Sequence, residues 1–335
     1  MISVEHLTKK YGEFTAVKDL SFEIEEGHVY GFLGPNGAGK STTMNMMTGC
    51  LSATSGKVLI DGFDIFEDPK EAKKRVGYLP EQPPLYLNET PEEYLEFVGE
   101  AKGLKEKELK DQINEVIDKT RIRDVANLRI SALSKGYKQR VGIAQALLGN
   151  PKVIILDEPT VGLDPIQIRE IRDLIKQLGR DHTVILSSHI LSEVQSICEK
   201  ILIISHGELK AFDEPENLEA SLMSSNEIKI TTDATAQEVK TYLEGMEEVS
   251  IETIEEKENG YIQTVLHIGK KEIYDVAKNL FYLFAEHKRA LLEINLKRAN
   301  LEDIFMELTG ADEEEIMDDD MDEDIDEDIK EGEEE

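Results

Sequence analysis

A short glycine-rich stretch limits the possible folds of this chain more than any other feature. The run "GPNGAGKST" begins at Gly34, directly after the apolar run "HVYGFL". It matches the pattern GxxxxGK[ST], whose glycines allow successive backbone N–H groups to point inward at phosphate oxygens. A helix that starts at the end of the loop adds its dipole, which also favours anions. The order of strand, loop and helix therefore predicts a nucleotide-phosphate site rather than an ordinary glycine-rich turn.

The side chains at the end of this loop carry its chemistry. Lys40 is predicted to reach the β- and γ-phosphates, and Ser41 or Thr42 to offer a hydroxyl group to Mg²⁺. The predicted nucleotide-binding residues of the loop are Gly34, Pro35, Asn36, Gly37, Ala38, Gly39, Lys40, Ser41 and Thr42.

A second run, "VIILDEP", supplies the carboxylates that a phosphate-binding loop of this kind requires. Its four apolar residues fit a strand that is buried on both faces, and Asp157 and Glu158 follow it. Asp157 is predicted to hold Mg²⁺ through water, and Glu158 to polarise a water molecule for attack on the γ-phosphate. The alternative, two carboxylates that cap a helix at a strand exit, is weaker in a chain that also contains Lys40.

The organisation of the first 220 residues agrees with these motifs. Short β-rich runs such as "HVYGFLG", "VIILD" and "TVILSSH" alternate with helical runs. This alternation predicts an α/β fold with a mainly parallel central sheet. Near the N-terminus, "MISVEHLTKKY" and "LSFEIEEG" indicate an antiparallel strand pair.

Five motifs in a fixed order identify a family. With "GPNGAGKST", "LSKGYKQR", "VIILDEPT", "VGLD" and "ILSSH" in this order, residues 2–220 resemble the ATPase subunits of ABC transporters. The resemblance implies a P-loop NTPase of ABC type, with a mixed central sheet, an antiparallel β subdomain and a helical subdomain. The segment "LSKGYKQR", a variant of the family's signature motif, and the C-terminal "ANLEDIFMELTG" resemble those of exporter and gliding-motility type subunits. Such subunits pair with a separately encoded integral membrane permease.

The resemblance assigns catalytic roles position by position. It places Tyr11 where the family stacks an aromatic ring on adenine, although a tyrosine at a strand end also packs often on its own domain. Asp157 is the Walker B carboxylate and Glu158 the catalytic base. His189 matches the switch histidine that touches the γ-phosphate, and Lys40 completes the predicted catalytic set.

Other motifs belong, by the same resemblance, to a site shared between two subunits. The resemblance implies that Ser134 and Gly136 of the signature cover the nucleotide of a partner subunit. It also implies that Asp164, in the D-loop "VGLD", contacts that subunit. The signature departs from the common pattern, because Lys135 stands where the first glycine often lies and Tyr137 replaces the common glutamine. A single copy of each motif implies a dimer, either with a second copy or with a related subunit.

The segment "VGYLPEQPPLY" leaves one assignment open. Glu81 occupies the place of the usual Q-loop glutamine and Gln82 follows it, so that either side chain could reach the metal or the water. The neighbouring Leu85 and Tyr86 are predicted to lie on the surface where the permease docks.

The chain beyond residue 220 shows a different pattern. The sequence of residues 221–310 indicates a strand, a helix, a hairpin, a helix, a strand and a helix in this order. This order predicts a small C-terminal α+β domain of the ferredoxin-like type. Residues 311–335 contain seventeen acids and one lysine, which predicts a disordered acidic tail that either aids solubility or docks on a basic partner surface. The predicted domains are therefore 1–220, 221–310 and 311–335.

Composition restricts the classes of partner and compartment. The formal net charge of −32 argues against nucleic acid as the main ligand. Two distant cysteines fit a reducing compartment, and no apolar run approaches the ~18 residues of a membrane-spanning helix. We therefore expect a cytoplasmic protein, held at the inner face of the cell membrane by its permease.

A soluble ABC-type ATPase that acts on a cytosolic partner complex is the alternative. A nucleotide-binding regulator that has lost hydrolysis is disfavoured by the intact catalytic residues.

Overall fold

The computed structural model describes residues 1–221, 226–246, 249–257, 259–269, 273–297 and 301–310. The described residues form two compact units, of which the first holds residues 1–214 and 308–310, and the second holds those between 215 and 307. The predicted acidic tail, residues 311–335, lies outside the described residues. Among the described helices, none combines the length and the apolar composition needed to cross a membrane.

The first unit contains ten strands and seven α-helices in its described residues before Pro215. The strands are β1 (Ile2–Tyr11), β2 (Phe14–Ile24), β3 (Val29–Leu33), β4 (Ser55–Ile60), β5 (Phe63–Asp64), β6 (Val76–Leu79), β7 (Val153–Leu156), β8 (Thr183–Ser188), β9 (Lys200–Ser205) and β10 (Glu208–Asp213). The helices are α1 (Lys40–Met47), α2 (Pro69–Lys73), α3 (Pro91–Ala101), α4 (Glu106–Lys119), α5 (Lys135–Leu147), α6 (Pro165–Leu178) and α7 (Leu191–Ile197).

A six-stranded sheet in the order β10-β9-β3-β8-β7-β6 forms the centre of this unit. All neighbouring strands are parallel except β10, which runs antiparallel to β9. The predicted, mainly parallel central sheet is therefore confirmed. Because β7 is buried along its whole length, its sequence "VIIL" is continuously apolar rather than alternating.

A second sheet, in the order β2-β1-β4-β5, is entirely antiparallel and includes the predicted N-terminal strand pair. One hydrophobic core joins it to the central sheet, since Ile2 and Leu20 from the antiparallel sheet share a cluster with Phe32 and Ile155 from the central one. Met44 of α1 belongs to the same cluster. Helix α1 thereby packs into the core that both sheets share.

Helices α3, α4 and α5 form the helical part of the first unit and lie between β6 and β7 in the chain. Helix α3 begins with a capping box, in which Thr90 and Glu93 satisfy each other's backbone N–H groups. Helix α4 buries Leu109, Ile113 and Val116 on one face, at the three- and four-residue spacing of an amphipathic helix. The three parts of the predicted ABC-type fold, two β parts and a helical part, are all present.

The second unit begins with α8 (Pro215–Ser221) and has the element order βαββαβ. Its elements are β11 (Asn226–Thr232), α9 (Ala236–Leu243), β12 (Val249–Glu256), β13 (Ile262–Ile268), α10 (Ile273–Glu286) and β14 (Leu291–Lys297). The strands pair antiparallel in the order β12-β13-β11-β14, which is the ferredoxin-like arrangement that the sequence predicted. Helix α11 (Leu301–Thr309) follows.

Candidate active site

The phosphate-binding loop lies between β3 and α1, at the carboxyl edge of the central sheet. Gly39 is the N-cap of α1 and adopts φ 102°, a left-handed conformation that favours glycine. A Cβ atom at this position would lie 2.7 Å from the carbonyl oxygen of Ala16. Both the backbone angle and the close approach therefore require glycine where the sequence motif has one.

Lys40 is the first residue of α1, and its side chain is buried. Its ammonium group donates to the carbonyl oxygens of Gly34 at 2.7 Å and Pro35 at 3.3 Å. The same Nζ atom lies 3.7 Å from Oε1 of Glu158. A positive charge is thus held against the loop and beside one of the carboxylates that follow β7.

Asp157 lies directly after β7, and two hydroxyl groups donate to its Oδ1 atom. Ser187 Oγ does so at 2.6 Å and Ser41 Oγ at 3.2 Å. Burial raises the pKa of Asp157, and the negative charge of Glu158 acts in the same direction, while the two hydroxyl groups and Lys40 oppose the shift. Asp157 is therefore a carboxylate whose ionised form is poorly solvated by the protein alone.

Glu158 is held in a strained backbone conformation with φ 45°. Its N–H group donates to Ser187 Oγ at 2.8 Å, and its Oε2 atom lies 3.2 Å from Nδ1 of His189. Non-glycine residues in this region carry a conformational cost and are enriched at functional sites. In this conformation the Glu158 carboxylate lies within 4 Å of both Lys40 and His189.

A cavity of about 820 Å³ opens at this edge of the sheet. Eleven of the residues that the sequence predicted for the site line it: Tyr11, Asn36, Gly37, Ala38, Gly39, Lys40, Ser41, Thr42, Glu81, Glu158 and His189. Its size falls within the range of small-molecule pockets in proteins. The loop, the strand-end carboxylate and the histidine therefore face one common space.

The other predicted residues do not line this cavity. Gly34 and Pro35 lie next to it and accept hydrogen bonds from Lys40, and Asp157 contacts it through Ser41. The remaining ones outside the lining are Gln82, Ser134, Gly136 and Asp164.

The signature segment and the D-loop lie at the N-termini of α5 and α6. Ser134 caps α5 by accepting a hydrogen bond from the N–H of Tyr137, and Asp164 caps α6 in the same manner. A Cβ atom on Gly136 would lie 2.3 Å from Oε1 of Gln167, so the two helices approach closely at this point. The two N-termini are thus fixed together. Pro165 and Ile168 at the start of α6 line the cavity, whereas Ser134 and Gly136 do not.

Ser187, Phe14 and Thr160 are among the residues at the site that the sequence did not predict. Ser187 bridges the two carboxylates, and Phe14 and Thr160 line the cavity. Ser187 stands within "ILSSH", and a hydroxyl group two residues before the predicted switch histidine is a signal that the motif offered. Nothing in the sequence around Phe14 distinguishes it from other strand residues.

Several known proteins are similar to this chain over nearly its whole length. The family model described as "ABC transporter" matches residues 17–161. The uncharacterized ABC transporter ATP-binding protein YhcH of Bacillus subtilis is 36% identical over 320 residues, covering 95% of this chain and 98% of that protein. The chain belongs to the ABC transporter ATP-binding proteins. The linearmycin resistance ATP-binding protein LnrL of Bacillus subtilis is 34% identical to this ABC ATPase, over 92% of this chain and 98% of LnrL. The bacitracin transport ATP-binding protein BcrA of Bacillus licheniformis is also 34% identical, over 93% of this chain and 98% of BcrA.

Solved structures of ABC cassettes match the ATPase part of the chain. A structure of an ATP-binding subunit of an ABC transporter matches with a TM-score of 0.60 and 29% identity, over 66% of this chain and 93% of that one. The dimeric structure of a bacterial ABC transporter cassette matches with a TM-score of 0.58 and 30% identity, over 64% and 98%. The protein is therefore an ATPase of the ABC type that binds and hydrolyses nucleotide.

The raised pKa of Asp157 predicts how this ABC ATPase responds to Asp157→Asn without nucleotide. A carboxyl group whose pKa is higher in the folded than in the unfolded protein destabilises the fold once it is ionised. We therefore expect Asp157→Asn to increase the free energy of unfolding at pH 7 to 8, measured by urea denaturation. The difference from the wild type should shrink as the pH falls toward the ordinary pKa of aspartate.

The exposed Asp173 on α6 provides the matched control, since Asp173→Asn makes the same chemical change outside the site. We expect this variant to change the free energy of unfolding by less than about 0.5 kcal/mol at any of these pH values. A loss of stability in Asp157→Asn at pH 8 would contradict the account of Asp157.

Proposed function

We propose that this ABC ATPase works as a dimer that hydrolyses Mg²⁺-ATP at the cavity described above and thereby drives an integral membrane permease. The main support for the proposal is that one edge of the sheet brings together Lys40, Asp157, Glu158 and His189. Lys40 begins α1, Asp157 and Glu158 follow β7, and His189 follows β8. Glu158 lies within 4 Å of both Lys40 and His189.

The geometry assigns each of these side chains a part in the reaction. Lys40 places a buried positive charge where the β- and γ-phosphates would lie, which stabilises the charge of the transferring group. Glu158 accepts a hydrogen bond from the attacking water, which orients it, and acts as the general base that takes up its proton. His189, 3.2 Å from Glu158, holds that carboxylate in place and reaches the side of the γ-phosphate. Catalysis thus rests on positioning and electrostatics.

The residues present fit a magnesium ion. Ser41 Oγ and Asp157 Oδ1 lie 3.2 Å apart, so that two oxygen ligands of the type that Mg²⁺ prefers face one position beside the loop. Among the described residues, no group of three or more His, Cys, Asp or Glu side chains could form an all-protein metal site. Bound there, Mg²⁺ would neutralise charge on the β- and γ-phosphate oxygens.

Removal of the base tests the assignment of Glu158. We expect Glu158→Gln to lower kcat for ATP hydrolysis at least about 100-fold, because the amide cannot take up a proton from water. ATP binding should persist, since the loop and Lys40 are unchanged. Gel filtration with saturating Mg²⁺-ATP should show a dimer that the wild type forms only transiently.

ADP provides the control for that experiment, since it lacks the γ-phosphate on which the dimer depends. Glu158→Gln with Mg²⁺-ADP should elute as a monomer. Only monomer in the presence of Mg²⁺-ATP, or a kcat close to that of the wild type, would count against the proposal.

We assign the Q-loop role to Glu81 rather than Gln82. The supporting observation is that Glu81 lines the cavity whereas Gln82 does not. We expect Glu81→Ala to lower kcat about tenfold, the size of effect typical of residues that support a metal site. Glu81→Gln should retain most of the activity, because its amide oxygen can still act as a ligand. Gln82→Ala is the matched control and should hydrolyse ATP like the wild type, and the reverse ranking would reassign the role to Gln82.

A second subunit would complete the site. Tyr11 and Phe14, at 49% and 64% exposure, leave apolar rings at the cavity mouth. Ser134 and Gly136 are at a helix N-terminus, which favours anions, yet they do not line the cavity of their own chain. The signature of one subunit is therefore proposed to face the nucleotide of the other. The partner is a second copy of this chain or a related subunit.

An aromatic patch is the proposed docking surface for the permease. It consists of Tyr86, Leu87 and Phe97, which are 48%, 51% and 51% exposed. The ring of Tyr86 packs against those of Phe97 at 5.2 Å and Tyr94 at 5.7 Å, so the patch is preorganised. Contiguous exposed apolar surface of this kind marks interaction sites. The expected occupant is a cytoplasmic helix of the permease.

Charges placed in the aromatic patch test this assignment. We expect the double variant Tyr86→Glu/Phe97→Glu to reduce the amount of protein that copurifies with membranes at least about tenfold, because burial of two carboxylates against an apolar helix is unfavourable. ATP hydrolysis by the isolated protein should change little. The control is Phe281→Glu/Tyr282→Glu on α10, where the rings are similarly exposed at 53% and 60%. Equal membrane recovery of the two double variants would overturn the assignment.

Export is the transport direction that the relatives favour. LnrL is named for linearmycin resistance and BcrA for bacitracin transport, and both extend over nearly the whole chain. The proposed location is the inner face of the cell membrane, reached through the permease. Recovery of the wild type only in the soluble fraction of cells that also produce the permease would favour a cytosolic partner complex instead.

A further inference from the structure

A buried carboxylate lies behind the catalytic pair. Glu193 is the third residue of α7 and is only 2% exposed. Its Oε2 atom accepts hydrogen bonds from Thr160 Oγ1 at 2.6 Å and from Ser188 Oγ at 3.4 Å, and its Oε1 atom from Arg172 Nη2 at 3.1 Å. A buried charge is tolerated only when it is paired and hydrogen-bonded, as this one is.

The three donors to Glu193 come from three separate segments around the site. Thr160 lies two residues after Glu158, and Ser188 directly precedes His189. Arg172 lies on α6, the helix that begins after the D-loop. One carboxylate therefore connects the turn after β7, the end of β8 and helix α6.

These connections constrain the contact between Glu158 and His189. Glu158 has a backbone angle of φ 45°, and such a conformation persists only where the surroundings over-determine it. Ser187 holds its N–H group on one side. On the other side, the bond from Thr160 to Glu193 fixes the chain two residues later.

We propose that Glu193 is a positioning residue for ATP hydrolysis. Its carboxylate sets the spacing between Glu158 and His189 through Thr160 and Ser188, and its ion pair with Arg172 ties that spacing to α6. The inference rests on the proposed roles of Glu158 and His189, and it extends them to Glu193, which does not line the cavity.

Glu193→Gln provides the first test. Glutamine keeps the shape but has one acceptor oxygen, so it cannot serve Thr160 and Arg172 equally. We expect kcat to fall about 10- to 100-fold, since small displacements of catalytic groups have effects of this size. The Kd for ATP, measured by equilibrium dialysis, should change less than about threefold, because the loop and Lys40 are untouched. Glu23→Gln, an exposed carboxylate on β2, is the control and should retain wild-type kcat.

Thr160 provides a second test that does not depend on the stability of the Glu193 variant. Thr160→Ser keeps the hydroxyl group and should retain kcat within about threefold, whereas Thr160→Val keeps the shape, loses the hydrogen bond and should resemble Glu193→Gln. The double variant Glu193→Gln/Thr160→Val should have a kcat close to that of either single variant, because both remove the same connection.

Three results would overturn the inference. They are a wild-type kcat in Glu193→Gln, a multiplicative loss in the double variant, and a loss of ATP affinity as large as the loss of kcat. A loss of ATP affinity as large as the loss of kcat would indicate that Glu193 has a purely structural role. Failure of the proposed catalytic roles is distinguishable, because it would appear as retained hydrolysis in Glu158→Gln whatever the Glu193 variants do.

Discussion

The parallel pairing of β3, β8 and β7 is the constraint on which the site depends. Leu33 pairs with Ser188, and Leu156 with Leu186, so the carboxyl ends of the three strands lie at one edge. Parallel strands end together, and whatever follows them is gathered at the same place. Lys40 and His189, nearly 150 positions apart in the chain, both reach Glu158 for this reason.

The polar groups at this edge offset one another within a buried environment. The ammonium group of Lys40 lies beside Glu158, and Ser41 and Ser187 donate to Asp157. Burial nevertheless raises the pKa of Asp157, so the hydroxyl groups compensate its charge only in part. A divalent cation bound there, as proposed, would complete that compensation.

The residues proposed for catalysis are held by buried, well-packed elements. The strained turn at Glu158 follows β7, whose residues are entirely buried, and this core resists the relaxation that strain would otherwise cause. The ferredoxin-like unit has a hydrophobic core of its own, which includes Ile230, Leu266 and Phe284. Each unit therefore has a core of its own, and the side chains proposed for catalysis all belong to the first unit.

The sequence by itself determined the family, the mainly parallel sheet, the ferredoxin-like element order and the residues of the phosphate-binding loop. These features are local, since a loop motif or an apolar run keeps its meaning wherever it lies in the fold. The choice between Glu81 and Gln82 was open in the sequence, because adjacent residues differ in direction only once the backbone is placed. Ser187 and Glu193 were not predicted, since their importance comes from partners about 30 positions away. Only the tertiary structure decides such contacts, because they depend on which strands pair and which side chains that pairing buries together.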